Sequence, residues 1–140
     1  MRNFYLFYIN DYFKDTYFEY PYKLYKMLED AYLTNKYNLV SSANLYNQIT
    51  KKINKLYTNE FLIANNKMKR EYANTSNIHT FSSNREVTKL LVSNHCIKIK
   101  SNLNYPTFFD DINKYNNNIF ICDFANNDYF WLHKVAHSVV

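Results

Sequence analysis

Apolar residues recur along the chain with two periods, one typical of strands and one typical of helices. The run Asn3–Ile9 is almost continuously apolar and predicts a strand, which ends where Asn10–Asp11 can cap a helix. The period then becomes helical, because Phe13, Tyr17 and Tyr20 follow one another every three to four residues. The chain therefore predicts a first strand followed directly by a short helix.

Three further helices are predicted between residues 21 and 72. The first begins at Pro21, because proline fits the first turn of a helix and the residue before it avoids helical geometry. The second is capped by Ser41 or Ser42 and continues to residue 57, and the third is opened by Thr58. Their inward stripes are Leu24, Met27, Leu28, Ala31 and Tyr32; Tyr46, Ile49, Ile53, Leu56 and Tyr57; and Phe61, Ala64, Met68 and Tyr72.

The second half of the chain reads mainly as strands. Residues 73–84 are polar and lack a period, which predicts the longest loop, with a short strand at most over Ile78–Phe81. Strands follow over Val87–Val92 and Cys96–Lys100, and a helix that opens at Pro106 covers residues 107–115. The last elements are a strand over 119–124, a turn over 125–128 and an antiparallel strand over 129–133.

These elements predict an α/β fold in a single domain, residues 1–140. We expect a mixed central sheet of about five strands with helices packed on it and the strand 119–124 at its centre. The strands 96–100 and 119–124, joined by the helix 107–115, should form a right-handed βαβ crossover with the two strands parallel. Trp131, in the last hairpin, is expected in the core.

Composition changes this picture little. The chain has no Gly, 2 Pro, 15 Tyr and 11 Phe, a bias that a genome rich in A and T explains more simply than a function does. The net charge of +5 permits an acidic partner, either nucleic acid or protein. No apolar run is long enough for a membrane span or a signal peptide, so a soluble, cytoplasmic chain with reduced thiols at Cys96 and Cys122 is expected.

Candidate chemistry is scarce, and we expect neither an enzyme nor a cofactor. Without glycine, no phosphate-binding glycine loop can form. His133 and His137 have a spacing that binds zinc only on a helix, and no acidic ligand lies nearby, so no metal site is predicted. Asp123, at a strand end, is interpreted as a turn former rather than a catalytic acid.

Two basic clusters, Lys51–Lys55 and Lys67–Arg70, are the candidates for a nucleic-acid interface. Each is interleaved with the apolar stripe of its own helix, which is also how an ordinary solvated helix face looks. No helix-turn-helix or similar signature accompanies them. Nucleic-acid binding through these clusters is therefore the alternative hypothesis rather than the leading one.

At both ends the sequence resembles the SirA-type sporulation inhibitor of replication family. The N-terminal pattern is the aromatic strand from Phe4 to Ile9 followed by Phe13-Lys-Asp-Thr-Tyr17-Phe18. The C-terminal pattern is Phe120-Ile-Cys-Asp-Phe124, a polar turn and Tyr129-Phe-Trp-Leu132. The resemblance implies a non-enzymatic protein that binds the N-terminal domain of the replication initiator DnaA and blocks new rounds of replication. We expect the free protein to be a monomer.

The resemblance also implies which residues bind the partner. Periodicity alone favours a core position for Phe13 and Tyr17, although two aromatics one turn apart on a short helix can also face outwards. In the family the corresponding aromatic pair belongs to the DnaA-binding face, together with a Gln on the next-but-one helix. Gln48, or else Asn47, corresponds to that residue here.

Overall fold

The computed structural model describes residues 1–34 and 46–135. The strands are β1 (Arg2–Tyr8), β2 (Tyr72–Thr75), β3 (Ile78–Ser82), β4 (Val87–Val92), β5 (Ile97–Ser101), β6 (Ile119–Asp123) and β7 (Asp128–Trp131). The helices are α1 (Asp11–Tyr17), α2 (Pro21–Thr34), α3 (residues 46–49), α4 (Lys55–Asn66), α5 (Phe108–Tyr115) and α6 (Leu132–Val135), and a 3-10 turn covers Phe124–Asn126.

One sheet contains these strands in the order β2-β3-β4-β5-β1-β6-β7. The α/β class is confirmed, but the sheet has seven strands rather than about five. Every neighbouring pair is antiparallel, so the expectation of a mixed sheet was wrong. The predicted parallel direction of β5 and β6 is confirmed, since both are antiparallel to β1, which lies between them and pairs with both.

The strand β1 occupies this inner position because both of its faces are apolar. Phe4 and Leu6 point to one side of the sheet, and Phe7 and Ile9 point to the other. A strand between two neighbours can bury both faces, whereas an edge strand would leave its backbone groups unpaired on one side. The sheet therefore has a separate apolar cluster on each face.

The two clusters are covered by different helices. The first contains Leu62 of α4 and Phe108, Phe109 and Ile112 of α5. The second contains Leu24, Tyr25 and Leu28 of α2 and Ile49 of α3, together with Trp131 of β7. Trp131 is only 1% exposed, so its predicted core position is confirmed.

All five residues of β6 are buried, although it is the sixth strand in the order and not the central one. Helices on both faces exclude water from it. The reversal after β6 follows the prediction, since β7 pairs antiparallel with β6 and Asn127 adopts a positive φ of 51°. The chain then becomes helical at Leu132, where the sequence predicted that the strand would continue to His133.

The predicted second long helix does not continue to residue 57. Its proposed caps Ser41 and Ser42 lie outside the described residues. The helix α3 ends at Ile49, and Thr50 forms an isolated bridge with Ile9 beside the sheet. A new helix, α4, begins after Asn54, whose side chain accepts a hydrogen bond from the Tyr57 amide at 3.0 Å.

The next helix is also shorter than predicted, because α4 ends at Asn66. Met68, expected to face inwards, is 91% exposed, and Tyr72 begins β2 instead of ending a helix. The predicted loop 73–84 is the β2–β3 hairpin, which turns at Ser76 with a φ of 55°. A serine at this φ carries none of the usual signals of a tight turn.

Candidate functional site

The short helix α1 carries the aromatic pair for which sequence reasoning left two interpretations. Asn10 caps the helix as predicted, and its side chain accepts a hydrogen bond from the Tyr12 amide at 3.2 Å. No residue of α1 is fully buried. Phe13 and Tyr17 are half-buried against the second apolar cluster, and their rings lie parallel, with centroids 6.1 Å apart and 5° between the planes. They are therefore held by the core and still reach the surface.

Tyr12 is an aromatic of this helix that sequence reasoning missed. It is 76% exposed, and its ring packs edge-on to Phe13 with centroids 5.4 Å apart. Helical spacing does not select Tyr12, because it lies outside the inward-facing stripe of Phe13 and Tyr17. The signal that could have found it is that tyrosine at an exposed position next to an aromatic pair is typical of interfaces.

The structure brings α3 next to the start of α1. The Asn10 amide donates to the Ile49 carbonyl oxygen at 2.8 Å, which ties the last residue of α3 to the cap of α1. Asn47 and Gln48 are both exposed on α3. The sequence-predicted residues 13, 17, 47 and 48 thus belong to neighbouring elements, and we call Tyr12, Phe13, Tyr17, Asn47 and Gln48 together the α1 surface.

Contacts with buried residues hold the elements of the α1 surface in place. Ile49 is fully buried, and the Tyr46 hydroxyl donates to the His95 carbonyl oxygen at 2.5 Å, which fixes α3. Just after α1, the ring of Phe18 stacks on His133 with centroids 5.3 Å apart and lies 6.2 Å from Trp131. Both helices are therefore anchored on the same side of the sheet.

The acidic residue at the end of β6 is engaged in the fold. Arg2 bridges Asp123 and Asp128, at 2.8 and 2.7 Å, and so joins β1 to both strands of the last hairpin. The Asn126 amide also donates to Asp123, at 2.7 Å. This agrees with the interpretation of Asp123 as a turn former, and the ion pair with Arg2 adds a second structural role.

Buried His79 is the described histidine with the most complete set of partners. Its Nδ1 lies 2.7 Å from the Tyr72 hydroxyl, and its Nε2 lies 2.7 Å from the side-chain amide oxygen Oδ1 of Asn59. Because that oxygen can only accept, Nε2 carries the proton and Nδ1 accepts from Tyr72. Burial lowers the pKa of His79 to about 4, so the imidazole is neutral in the folded protein.

The described residues contain no group of three or more His, Cys, Asp or Glu side chains that could hold a metal ion. His137, half of the weighed zinc pair, lies outside the described residues. Cys96 and Cys122 are both free and buried, as expected, and burial raises the pKa of each thiol.

The two basic clusters flank opposite ends of α4. Lys51–Lys55 ends where α4 begins, and Lys67–Arg70 starts where it ends, so its 12 residues separate them. At 1.5 Å per residue this corresponds to about 18 Å. Lys51 also pairs with Asp11 at 3.5 Å and lies over the Tyr8 ring at 5.4 Å. The clusters do not merge into one basic surface.

Comparison with known proteins agrees with the resemblance. A family model described as "Sporulation inhibitor of replication protein SirA" matches residues 2–136. The chain belongs to the SirA family. It is thus a sporulation inhibitor of replication, and SirA proteins are regulatory inhibitors rather than a known family of enzymes. A search of curated proteins found no match for it. Within the described part of this SirA protein, no helix has the length and apolar character that crossing a membrane requires.

Proposed function

We propose that this SirA-family protein inhibits replication by binding the N-terminal domain of the initiator DnaA through the α1 surface. Family membership supports an inhibitor of replication, and the sequence resemblance implies DnaA as its target. The observation that carries the location is the half-buried, parallel pair of Phe13 and Tyr17 on a helix without a fully buried residue.

This geometry suits an anchor for another protein. An aromatic side chain that is already fixed by its neighbours loses little rotamer freedom when a partner covers it. Phe13 and Tyr17 are fixed in this way by each other and by the second apolar cluster. Tyr12 adds an exposed ring with a hydroxyl group, and such residues are enriched among the side chains that dominate binding energy.

The α3 residues supply the polar part of the proposed contact. Gln48 and Asn47 are exposed, and an amide side chain offers both donors and acceptors to a partner. We assign the family's contact residue to Gln48 and keep Asn47 as its neighbour in the interface. The protein acts as a monomer that occupies the DnaA domain and so withholds it from initiation.

Binding to purified DnaA fragments tests this proposal. Calorimetric titration should give one protein per N-terminal domain, and fragments without that domain should not bind. Because aromatic contacts carry the complex, its affinity should change far less between about 50 and 200 mM salt than that of a complex held by phosphate contacts. Absence of binding to the N-terminal domain, with binding to another DnaA fragment, would refute the proposed target.

The regulatory consequence needs a second measurement. Expression of the protein in a host with the matching DnaA should lower the ratio of origin to terminus DNA, since new rounds no longer start. Gln48→Ala should weaken this effect more than Asn47→Ala, which is the matched control on the same helix. Equal effects of both substitutions would contradict the assignment of Gln48.

A further inference from the structure

The half of the sheet formed by β3, β4 and β5 is open on one face. The strand residues of the second cluster come from β1, β6 and β7 and from Cys96, which directly precedes β5. On β4 and β5 the side chains of the same face alternate with buried ones and are exposed. Among the described residues, no helix buries this open face of β4 and β5.

Three lysines project from the open face. Lys89 of β4 is directly opposite Lys100 of β5, and Lys98 lies two residues from Lys100 on the same strand. Like charges that face each other across two strands destabilise a sheet. None of these lysines forms an ion pair with another described residue, so within the described part of the chain their three positive charges have no ionic partner.

The neighbours of the lysines carry no negative charge. Strand register places these residues in two rows across the sheet: Thr80, Lys89, Lys100 and Asn3, then Ile78, Leu91, Lys98 and Tyr5. A shallow depression of about 120 Å³ lies between the lysines, Asn3 and Leu91. The charges are thus concentrated on a polar and aliphatic surface without an acidic side chain.

We propose that this open face binds the phosphate backbone of duplex DNA, independently of the α1 surface. Lysine is depleted in the cores of protein interfaces, whereas protein–DNA interfaces are rich in positive side chains that contact phosphates. Adjacent strands are about 4.8 Å apart and alternate residues of a strand about 6.8 Å, so the three ammonium groups can contact neighbouring phosphates. The polar ends of the first row, Asn3 and Thr80, can donate to phosphate or sugar oxygens.

The same face argues for a duplex rather than a single strand. Proteins that hold single strands stack bases on exposed aromatic rings. Here the ring in the two rows is that of Tyr5, and it is covered by Tyr32 and Phe124, at 5.0 and 5.3 Å between centroids. The contact is therefore with the backbone and is independent of base sequence.

Fluorescence anisotropy with a labelled duplex of mixed sequence tests the proposal. Three phosphate contacts give a salt slope of about −2.7, so the affinity of the unmodified protein should fall about fortyfold between about 50 and 200 mM salt. The triple variant Lys89→Gln, Lys98→Gln and Lys100→Gln should bind at least tenfold more weakly and lose most of this slope. Its thermal midpoint should be equal or higher, because a like-charged pair has been removed.

The matched control removes three lysines from the clusters around α4, as Lys52→Gln, Lys55→Gln and Lys67→Gln. It loses the same charge and should keep the affinity within threefold and the slope intact. Any of four results would overturn the proposal: no duplex binding by the unmodified protein, an unaffected sheet variant, an equal loss in the control, or tighter binding of single strands. Binding of a polyglutamate peptide in place of the duplex would likewise overturn it and assign the face to an acidic protein.

Discussion

Replacing Phe13 or Tyr17 by Ala should reduce the affinity for the DnaA N-terminal domain far more than the stability of the protein. Removing a fully buried Phe typically costs about 3–5 kcal/mol. Phe13 is half-buried, and with the contribution of its parallel contact to Tyr17 we expect about 1–2 kcal/mol. An aromatic anchor at the centre of an interface is worth about 2 kcal/mol or more, or roughly a thirtyfold change in affinity.

The assay measures both quantities for the same variants. Unfolding in urea gives the free energy of unfolding, and calorimetric titration with the DnaA domain, well below every thermal midpoint, gives the affinity. Tyr12→Ala should leave stability nearly unchanged because the side chain is 76% exposed, and it should weaken binding because Tyr12 belongs to the α1 surface. Each of Phe13→Ala and Tyr17→Ala should lose at least tenfold in affinity.

A core substitution far from α1 provides the control. Ile121 is fully buried in the first cluster, on the opposite face of the sheet, and Ile121→Val should cost about 0.5–1.5 kcal/mol. This is close to the loss expected for Phe13→Ala, but the affinity should not change. A strongly destabilised Phe13→Ala variant with unchanged affinity would refute our interpretation, and so would an equal loss of affinity in Ile121→Val.

Three further predictions concern stability. Trp131→Ala should cost about 3–5 kcal/mol, because the indole is fully buried between Phe18 and Phe120; an unchanged thermal midpoint would refute this placement. The free energy of unfolding should fall by about 2 kcal/mol from pH 7 to pH 5, because His79 is protonated near pH 6.5 in the unfolded chain but only near pH 4 in the folded protein. Urea unfolding at pH 7 and pH 5 measures this loss, and the His79→Gln variant should lack it. Ser76→Gly should raise the free energy of unfolding by about 0.5–1 kcal/mol, because glycine adopts a φ of 55° without steric cost, whereas Ser76→Ala in the same urea assay should not.

Alternation of apolar residues predicted the strands of the second half well, but it could not predict which strands become neighbours. The pattern of β1 indicates that both faces are buried, and several neighbours satisfy that requirement equally well. The helix between β5 and β6 predicted correctly that these two strands run parallel in one sheet, but it does not say which strand lies between them. The gap between them is instead filled by β1, the most distant strand in sequence, and no local signal encodes such a contact.

The misplaced elements of the middle region have two causes, and the first is the absence of glycine from the chain. Ser76 and Asn127 occupy the left-handed positions where glycine usually marks a turn, and only the asparagine was recognisable. The second cause is that the helical spacing of apolar residues continues from α3 into α4 and so predicted a single helix. In the structure, the helix is interrupted at Thr50, which forms a bridge with Ile9. Pairing with the sheet outweighed the local helical preference there.

The candidate site could be found only in part from sequence. Helical spacing selected Phe13 and Tyr17 but could not separate core from surface, because the two side chains belong to both. The family resemblance indicated that Phe13 and Tyr17 face a partner, and it was the only reason to select Gln48 as a binding residue. Tyr12 was missed because its position relative to the inward stripe is that of an ordinary solvated residue.

The inner position of β1, between β5 and β6, makes the order of synthesis important. This strand is synthesised before the other strands of the sheet, yet its partners are residues 97–101 and 119–122. At about 5–20 residues per second, the segment Phe-Tyr-Leu-Phe-Tyr-Ile waits about 5–25 s before both edges can be paired. During this time it is an unpaired, strongly strand-forming segment of the kind that associates between chains. The nascent protein therefore depends on synthesis as far as β6 before both edges of β1 can pair, and a chain that stops before β6 would leave one edge of β1 permanently open.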